Sequence, residues 1–106
     1  AAQPTTVAVD AAVSATLEFA SPAPNPVRGR ARFAFALPRA GRARLEVFDL
    51  AGRRVVTLAD QALAPGRYVR GWDLADDSGR RVAAGVYLAT LGVGAERVTR
   101  RLVVVP

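Results

Sequence analysis

The chain has 106 residues, 51% of them hydrophobic and 23% charged, which suits a single folded domain with one core and argues against a disordered chain. It contains no cysteine, histidine, methionine or lysine, so thiol and imidazole catalysis, thiolate metal sites and lysine Schiff bases are all ruled out. Its net charge of +6 comes entirely from arginine, and those arginines are scattered from Arg28 to Arg101 without a recognition-helix pattern, which argues against nucleic acid as a partner.

The chain starts Ala1-Ala2-Gln3-Pro4, small residues that fit the downstream side of a signal-peptidase cut and point to a secreted, extracellular or cell-surface protein. No apolar run approaches the roughly 20 residues that would span a bilayer as a helix.

From 7 to 19, Val7, Val9, Ala11, Val13, Ala15, Leu17 and Phe19 alternate with Ala8, Asp10, Ala12, Ser14, Thr16 and Glu18. This period of two predicts an extended strand, at about 3.3 Å per residue roughly 40 Å long and longer than most. Pro22, Pro24 and Pro26 then remove ladder donors and predict a hinge.

A second strand is predicted where Val27, Ala31, Phe33, Phe35 and Leu37 alternate with Arg28, Arg30, Arg32, Ala34 and Ala36. After the break at Pro38-Arg39-Ala40-Gly41, Ala43, Leu45 and Val47 alternate with Arg44, Glu46 and Phe48, and the two runs read as a hairpin with Phe35 opposite Leu45. That register sets Arg32 over Phe48 as an exposed cation–π pair.

Asp49-Leu50-Ala51-Gly52 predicts a tight turn, followed by a strand from Arg53 to Ala59. Pro65-Gly66 marks the next turn, before a strand from Arg67 to Asp73 that carries Tyr68, Arg70 and Trp72 on one side. Asp76-Asp77-Ser78-Gly79 turns the chain again into a strand from Val82 to Leu91, and Gly92-Val93-Gly94-Ala95 closes a final hairpin into Arg97 to Val105. Seven or eight short strands between turn signals, with no sustained helical period, mean an all-β sandwich or barrel.

From Pro24 to Pro106 the punctuation resembles the immunoglobulin-like domain of the flagellar hook-capping protein and of type IX secretion C-terminal sorting domains. The residues that carry the resemblance are Pro24-Asn25-Pro26, Leu37-Pro38, Val47 to Arg53, Pro65-Gly66, Trp72-Asp73, Asp77-Ser78-Gly79, Ala84-Gly85-Val86-Tyr87, and Arg100-Arg101 before a terminal apolar strand. The resemblance implies an antiparallel sandwich of about seven strands, outside the cytoplasm, that sorts, scaffolds or assembles and is not an enzyme. It leaves residues 1–23 as an N-terminal extended strand with its Pro-rich hinge, and 24–106 as the sandwich.

Candidate sites are few. Asp73, Asp76 and Asp77 gather oxygens near Ser78 and Gly79, but the spacing is not that of an EF-hand loop, and Asp and Gly are what turns require. Ser14, Ser21 and Ser78 have no histidine to activate them, and no carboxylate pair is set across a substrate-gripping cleft. No catalytic residue, metal or cofactor is expected.

Arg28, Arg30, Arg32 and Arg44, with Arg100 and Arg101 at the far end, form a candidate basic recognition surface; Arg42 adds to it in the proposed hairpin. A charged face that keeps the sheet soluble is the simpler explanation.

Residues 7–19 can belong to the same sandwich or complete the sheet of another subunit. In the second case Val7, Val9, Val13, Leu17 and Phe19 are the donor-strand interface, and the chain is a structural subunit that polymerises with itself. The alternative is a sorting or anchoring domain of a larger secreted protein, with the secretion machinery as partner.

Overall fold

The computed structural model describes residues 16–106, and in it seven strands form two sheets. They are β1 (Glu18–Phe19), β2 (Ala31–Leu37), β3 (Gly41–Asp49), β4 (Arg54–Leu63), β5 (Gly66–Trp72), β6 (Gly85–Val93) and β7 (Glu96–Val104). The sheets run β1-β2-β5 and β4-β3-β6-β7, with every strand pair antiparallel. Two such sheets face to face make an immunoglobulin-like sandwich. Val7, Val9 and Val13 lie outside the described residues.

Inward alternation builds the core. Ala31, Phe33, Phe35 and Leu37 of β2 face Ala43, Leu45 and Val47 of β3, and all seven are buried. Tyr87, Ala89 and Leu91 of β6, with Leu102 and Val104 of β7, close the other side. Trp72 lies edge-on to Tyr87 with ring centroids 5.8 Å apart, and its indole N–H donates to the Ala75 carbonyl at 2.8 Å. That pair fills the middle of a sandwich that has no cysteines for an inter-sheet disulfide.

The expected hairpin of the second and third strands does not form. β2 pairs with β1 and β5, β3 pairs with β4 and β6, and the chain crosses from one sheet to the other between Leu37 and Gly41. Phe35 and Leu45 therefore enter the one core from different sheets and are not opposite along a ladder. Arg32 stands in register with Gly71 and Phe48 with Arg54 and Leu88, so no Arg32–Phe48 pair exists. A cation–π contact occurs elsewhere, with the Arg70 guanidinium 5.8 Å from the Tyr68 ring centroid. The final hairpin does form, with Val93 opposite Glu96 and Gly94 at φ +61° in the turn.

Two five-residue turns have the same build. Asp49 Oδ1 accepts the backbone N–H groups of Ala51 and Arg53, both at 2.9 Å, and Asp76 Oδ1 accepts those of Ser78 at 2.9 Å and Arg80 at 3.0 Å. The glycines at the fourth position, Gly52 and Gly79, have φ of +87° and +88°, where a side chain is strained. Two tyrosines also match: Tyr68 donates to the Ala64 carbonyl and Tyr87 to the Ala83 carbonyl, each four residues upstream. These are tyrosine corners that pin a strand to the loop feeding it.

Candidate functional site

The features with most bearing on function lie at the sandwich margin where β1 meets β7. Glu18 is opposite Ala36 and Phe19 opposite Phe35, so β1 caps the edge of β2, and Leu17 and Phe19 are buried in this chain's own core. Both were expected in the donated strand.

The proline-rich stretch expected as a hinge is tied down at several points. Ala20 N–H donates to the Ala34 carbonyl at 2.9 Å, and Ala23 exchanges two backbone bonds with Arg32. Asn25 then grips β7 with both ends of its amide: Nδ2 donates to the Arg101 carbonyl at 3.0 Å and Oδ1 accepts the Val103 N–H at 2.9 Å. Val27 continues beside β7, donating to the Val103 carbonyl and accepting from the Val105 N–H. Pro22 is buried, and Pro24 and Pro26 follow cis peptide bonds. The segment thus carries the chain from the edge of one sheet to the edge of the other.

These contacts cover the C-terminal half of β7's outer edge. Among the described residues, no strand pairs with the N-terminal half, Glu96 to Arg100. Beside it lies a largely apolar groove of about 660 Å³, with Phe19, Phe35, Tyr68 and Val98 among its walls and Arg100 on its rim. Arg100 also donates from Nε to the Phe19 carbonyl at 2.7 Å, tying β7 to β1.

The arginines of the candidate basic surface are not brought together. Arg28 bonds the Pro106 carbonyl at 2.6 Å, Arg30 folds over Gly71 into space a Cβ would fill, and Arg32 is exposed on β2. Arg44 lies on the opposite sheet with Arg42, where Arg42 Nε is 2.8 Å from Asp60 and Arg44 is 3.6 Å from it. Arg101 faces outward on that same sheet, but Arg100 is on the inward row of β7. Sheet membership, and alternation along β7, divide what the linear sequence suggested was one face.

The acidic residues near Ser78 are engaged by their own turns. Asp73 accepts the Ala75 N–H, and Asp76 accepts the Ser78 hydroxyl at 2.6 Å in addition to its two backbone donors. Asp77 accepts from the Thr57 N–H and lies 4.0 Å from Arg54. Among the described residues no group of three or more metal-ligating side chains occurs. The Asp76 carboxyl is held below its ordinary value by the Ser78 hydroxyl and the Arg80 N–H, and that of Asp49 by the Arg53 N–H.

Two sheets ordered β1-β2-β5 and β4-β3-β6-β7, with a tyrosine corner opening β6, make a recognisable architecture. The chain shares its sandwich with proteins of type IX secretion and of flagellar hook capping. Dimeric latent PorU from Porphyromonas gingivalis aligns with a TM-score of 0.68 at 22% identity, over 85% of this chain and 9% of that one. PorZ from the same bacterium, an essential surface component of the type IX secretion system, aligns at 0.52 and 21% identity, over 85% of this chain and 11% of its own. FlgD from Xanthomonas campestris, a protein of hook capping in flagellar assembly, aligns at 0.51 and 27% identity, over 93% of this chain and 73% of its own. The chain thus corresponds to about a tenth of the length of PorU and PorZ. No protein-family model matches the sequence, and neither does any curated protein.

Proposed function

We propose that the chain is a non-catalytic assembly module of the cell exterior, which donates its N-terminal segment to the sandwich of a neighbouring copy. The observation that carries this reading is the register of β1. Each step back along β1 is one step forward along β2, so Leu17 falls opposite Leu37, where β2 ends. The next position on that side is Pro38, which has no N–H to offer. Continued to residue 13, the register reaches Gly41, which belongs to the other sheet. The edge that β1 pairs with thus ends at Leu37, and in the sequence Val7, Val9 and Val13 keep the alternation of a strand with one apolar face.

In this reading Leu17 and Phe19 are the root of the arm and remain in their own sandwich, while Val7, Val9 and Val13 enter the next. The acceptor is the outer edge of β7 from Glu96 to Arg100, with the groove beside it receiving side chains, by the strand-addition chemistry that an open edge invites. Donor and acceptor are different surfaces, so the contact propagates and does not close. The exterior location is supported by the fold shared with PorZ, a surface component; the non-catalytic reading by the missing histidine, cysteine and lysine.

Removing residues 1–15, and keeping Leu17 and Phe19, tests the proposal. Sedimentation and electron microscopy should show polymers of the full chain and a folded monomer after truncation. A full chain that remains monomeric at high concentration would sink the idea.

The second reading, a sorting or anchoring domain, is favoured by one observation: in PorU and PorZ the matching fold is a small share of a much longer chain. Fusing this chain behind a reporter in a bacterium with type IX secretion separates the two. Export that survives removal of residues 1–15 supports sorting.

A further inference from the structure

On the outward face of the four-stranded sheet, a row of register neighbours runs Asp60, Arg44, Gly92, Arg97 across β4, β3, β6 and β7. Arg42 precedes Arg44 by two residues and shares its face. With neighbouring strands about 4.8 Å apart, Arg44 and Arg97 flank a central strand that has no side chain at that level. A Cβ at Gly92 would lie 3.7 Å from Nη1 of Arg97, so this guanidinium leans over the glycine and not away from the sheet. Together Arg42, Arg44, Gly92, Gly94 and Arg97 line a notch of about 170 Å³.

Charge is unbalanced there. Among the described residues Asp60 is the single carboxylate in contact, shared between Arg42 at 2.8 Å and Arg44 at 3.6 Å. Arg97 has no acceptor among the described residues. Glu46, further along β3, is engaged by Arg54 at 3.6 Å, and Glu96 lines a separate cavity with Pro38 and Arg39. Three guanidinium groups against one carboxylate leave an excess of positive charge that a solubilising surface would spread, not gather.

Gly92 is the second observation. Gly94 needs glycine for its turn at φ +61°, but Gly92 has no such backbone requirement and is paired on both sides one residue from the end of β6. A strand glycine weakens the sheet, and here its bare face receives the Arg97 side chain, which sets that guanidinium over the notch.

The geometry points to a phosphate-binding notch at Gly92. Three guanidinium groups lining one notch match the three terminal oxygens of a phosphate monoester, whereas a carboxylate offers two. The carrier of that phosphate is a sugar phosphate of a surface glycan or a lipid headgroup, and the assignment does not depend on the assembly proposal.

Amide and arginine Nε resonances, followed during titration with inorganic phosphate at constant ionic strength, test it. Saturable shifts are expected at Gly92, Gly94, Arg97, Arg42 and Arg44, with acetate giving much weaker ones. Arg97→Gln should weaken phosphate binding about tenfold, the usual loss for one charge-assisted contact, and Arg97→Lys less. Arg32→Gln, on the other sheet, should leave it unchanged. Equal effects of Arg97→Gln and Arg32→Gln, or equal response to acetate, would mean diffuse charge and overturn the notch. The titration is then repeated with glucose 1-phosphate and with phosphatidic acid vesicles against phosphatidylcholine vesicles. Arg97-dependent binding of the sugar phosphate alone assigns a glycan, of the vesicles a lipid, and of neither overturns the proposal.

Discussion

Asp49 and Asp76 each hold a turn by accepting two backbone N–H groups on one carboxylate oxygen, the same geometry at two places in the chain. Those donors stabilise the ionised form, so both carboxyls titrate below the ordinary value of 3.8. A depressed folded value means that the stabilisation is present above the unfolded value and is lost as pH falls through the folded one. Unfolding midpoints in urea should therefore drop as pH falls below about 4. In a double Asp49→Asn, Asp76→Asn variant that drop should flatten; an unchanged acid limb would place the sensitivity elsewhere. Tyr87 shifts the other way, since burial and then the Asp49 carboxylate disfavour the phenolate. Its contribution is present below the ordinary value of 10.0 and fades as pH rises through the folded one. The turns were legible from Asp and Gly alone. That the same Asp-x-x-Gly-Arg and Ala-x-Gly-x-Tyr strings occur twice was equally available in the sequence, and both repeats mark the same local hydrogen bonding.

Among the elements, β1 and the proline segment show how tertiary contacts change what a local pattern means. Alternation from 7 to 19 identified Leu17 and Phe19 as one apolar face, but it cannot say whose core that face fills. In the structure Phe19 packs 6.2 Å from the Phe33 ring, and Phe19→Ala should cost about 3–5 kcal/mol in chemical denaturation. A loss below about 1 kcal/mol would contradict its place in the core. Prolines signal where a ladder is interrupted, hence the expected hinge; Asn25 and Val27 convert the interruption into a crossing by bonding β7. The hairpin expected between β2 and β3 failed for a related reason. Two runs whose odd positions are both apolar satisfy a lateral pair and a facing pair equally well, and sequence alternation does not distinguish them.

For the whole molecule, the open stretch of β7 is what assembly would use. Val103 and Val105 send their N–H groups outward, to Asn25 and Val27, so Thr99 on the same strand parity does likewise. Proline at such an edge position removes an outward donor without breaking the internal ladder. Thr99→Pro should leave the domain folded by circular dichroism but abolish polymers of the full chain; polymers that persist would move the acceptor to another edge. The arginine notch is a further property of the assembled sheet, because Arg42, Arg44 and Arg97 meet over Gly92 only once β3, β6 and β7 are in register.

The sequence by itself determined the all-β class, the turns, the inward rows of β2 and β3, and the absence of histidine, cysteine and lysine chemistry. These follow from short-range rules: a period of two, local Asp and Gly hydrogen bonding, and composition. Which strands are neighbours, the burial of Leu17 and Phe19 in their own domain, the division of Arg28, Arg30 and Arg32 from Arg44, and the meeting of Arg97 with Arg42 were decided only by the tertiary structure. Each depends on contacts between residues far apart in the chain, and a period of two records which face a side chain takes but not which strand lies beside it.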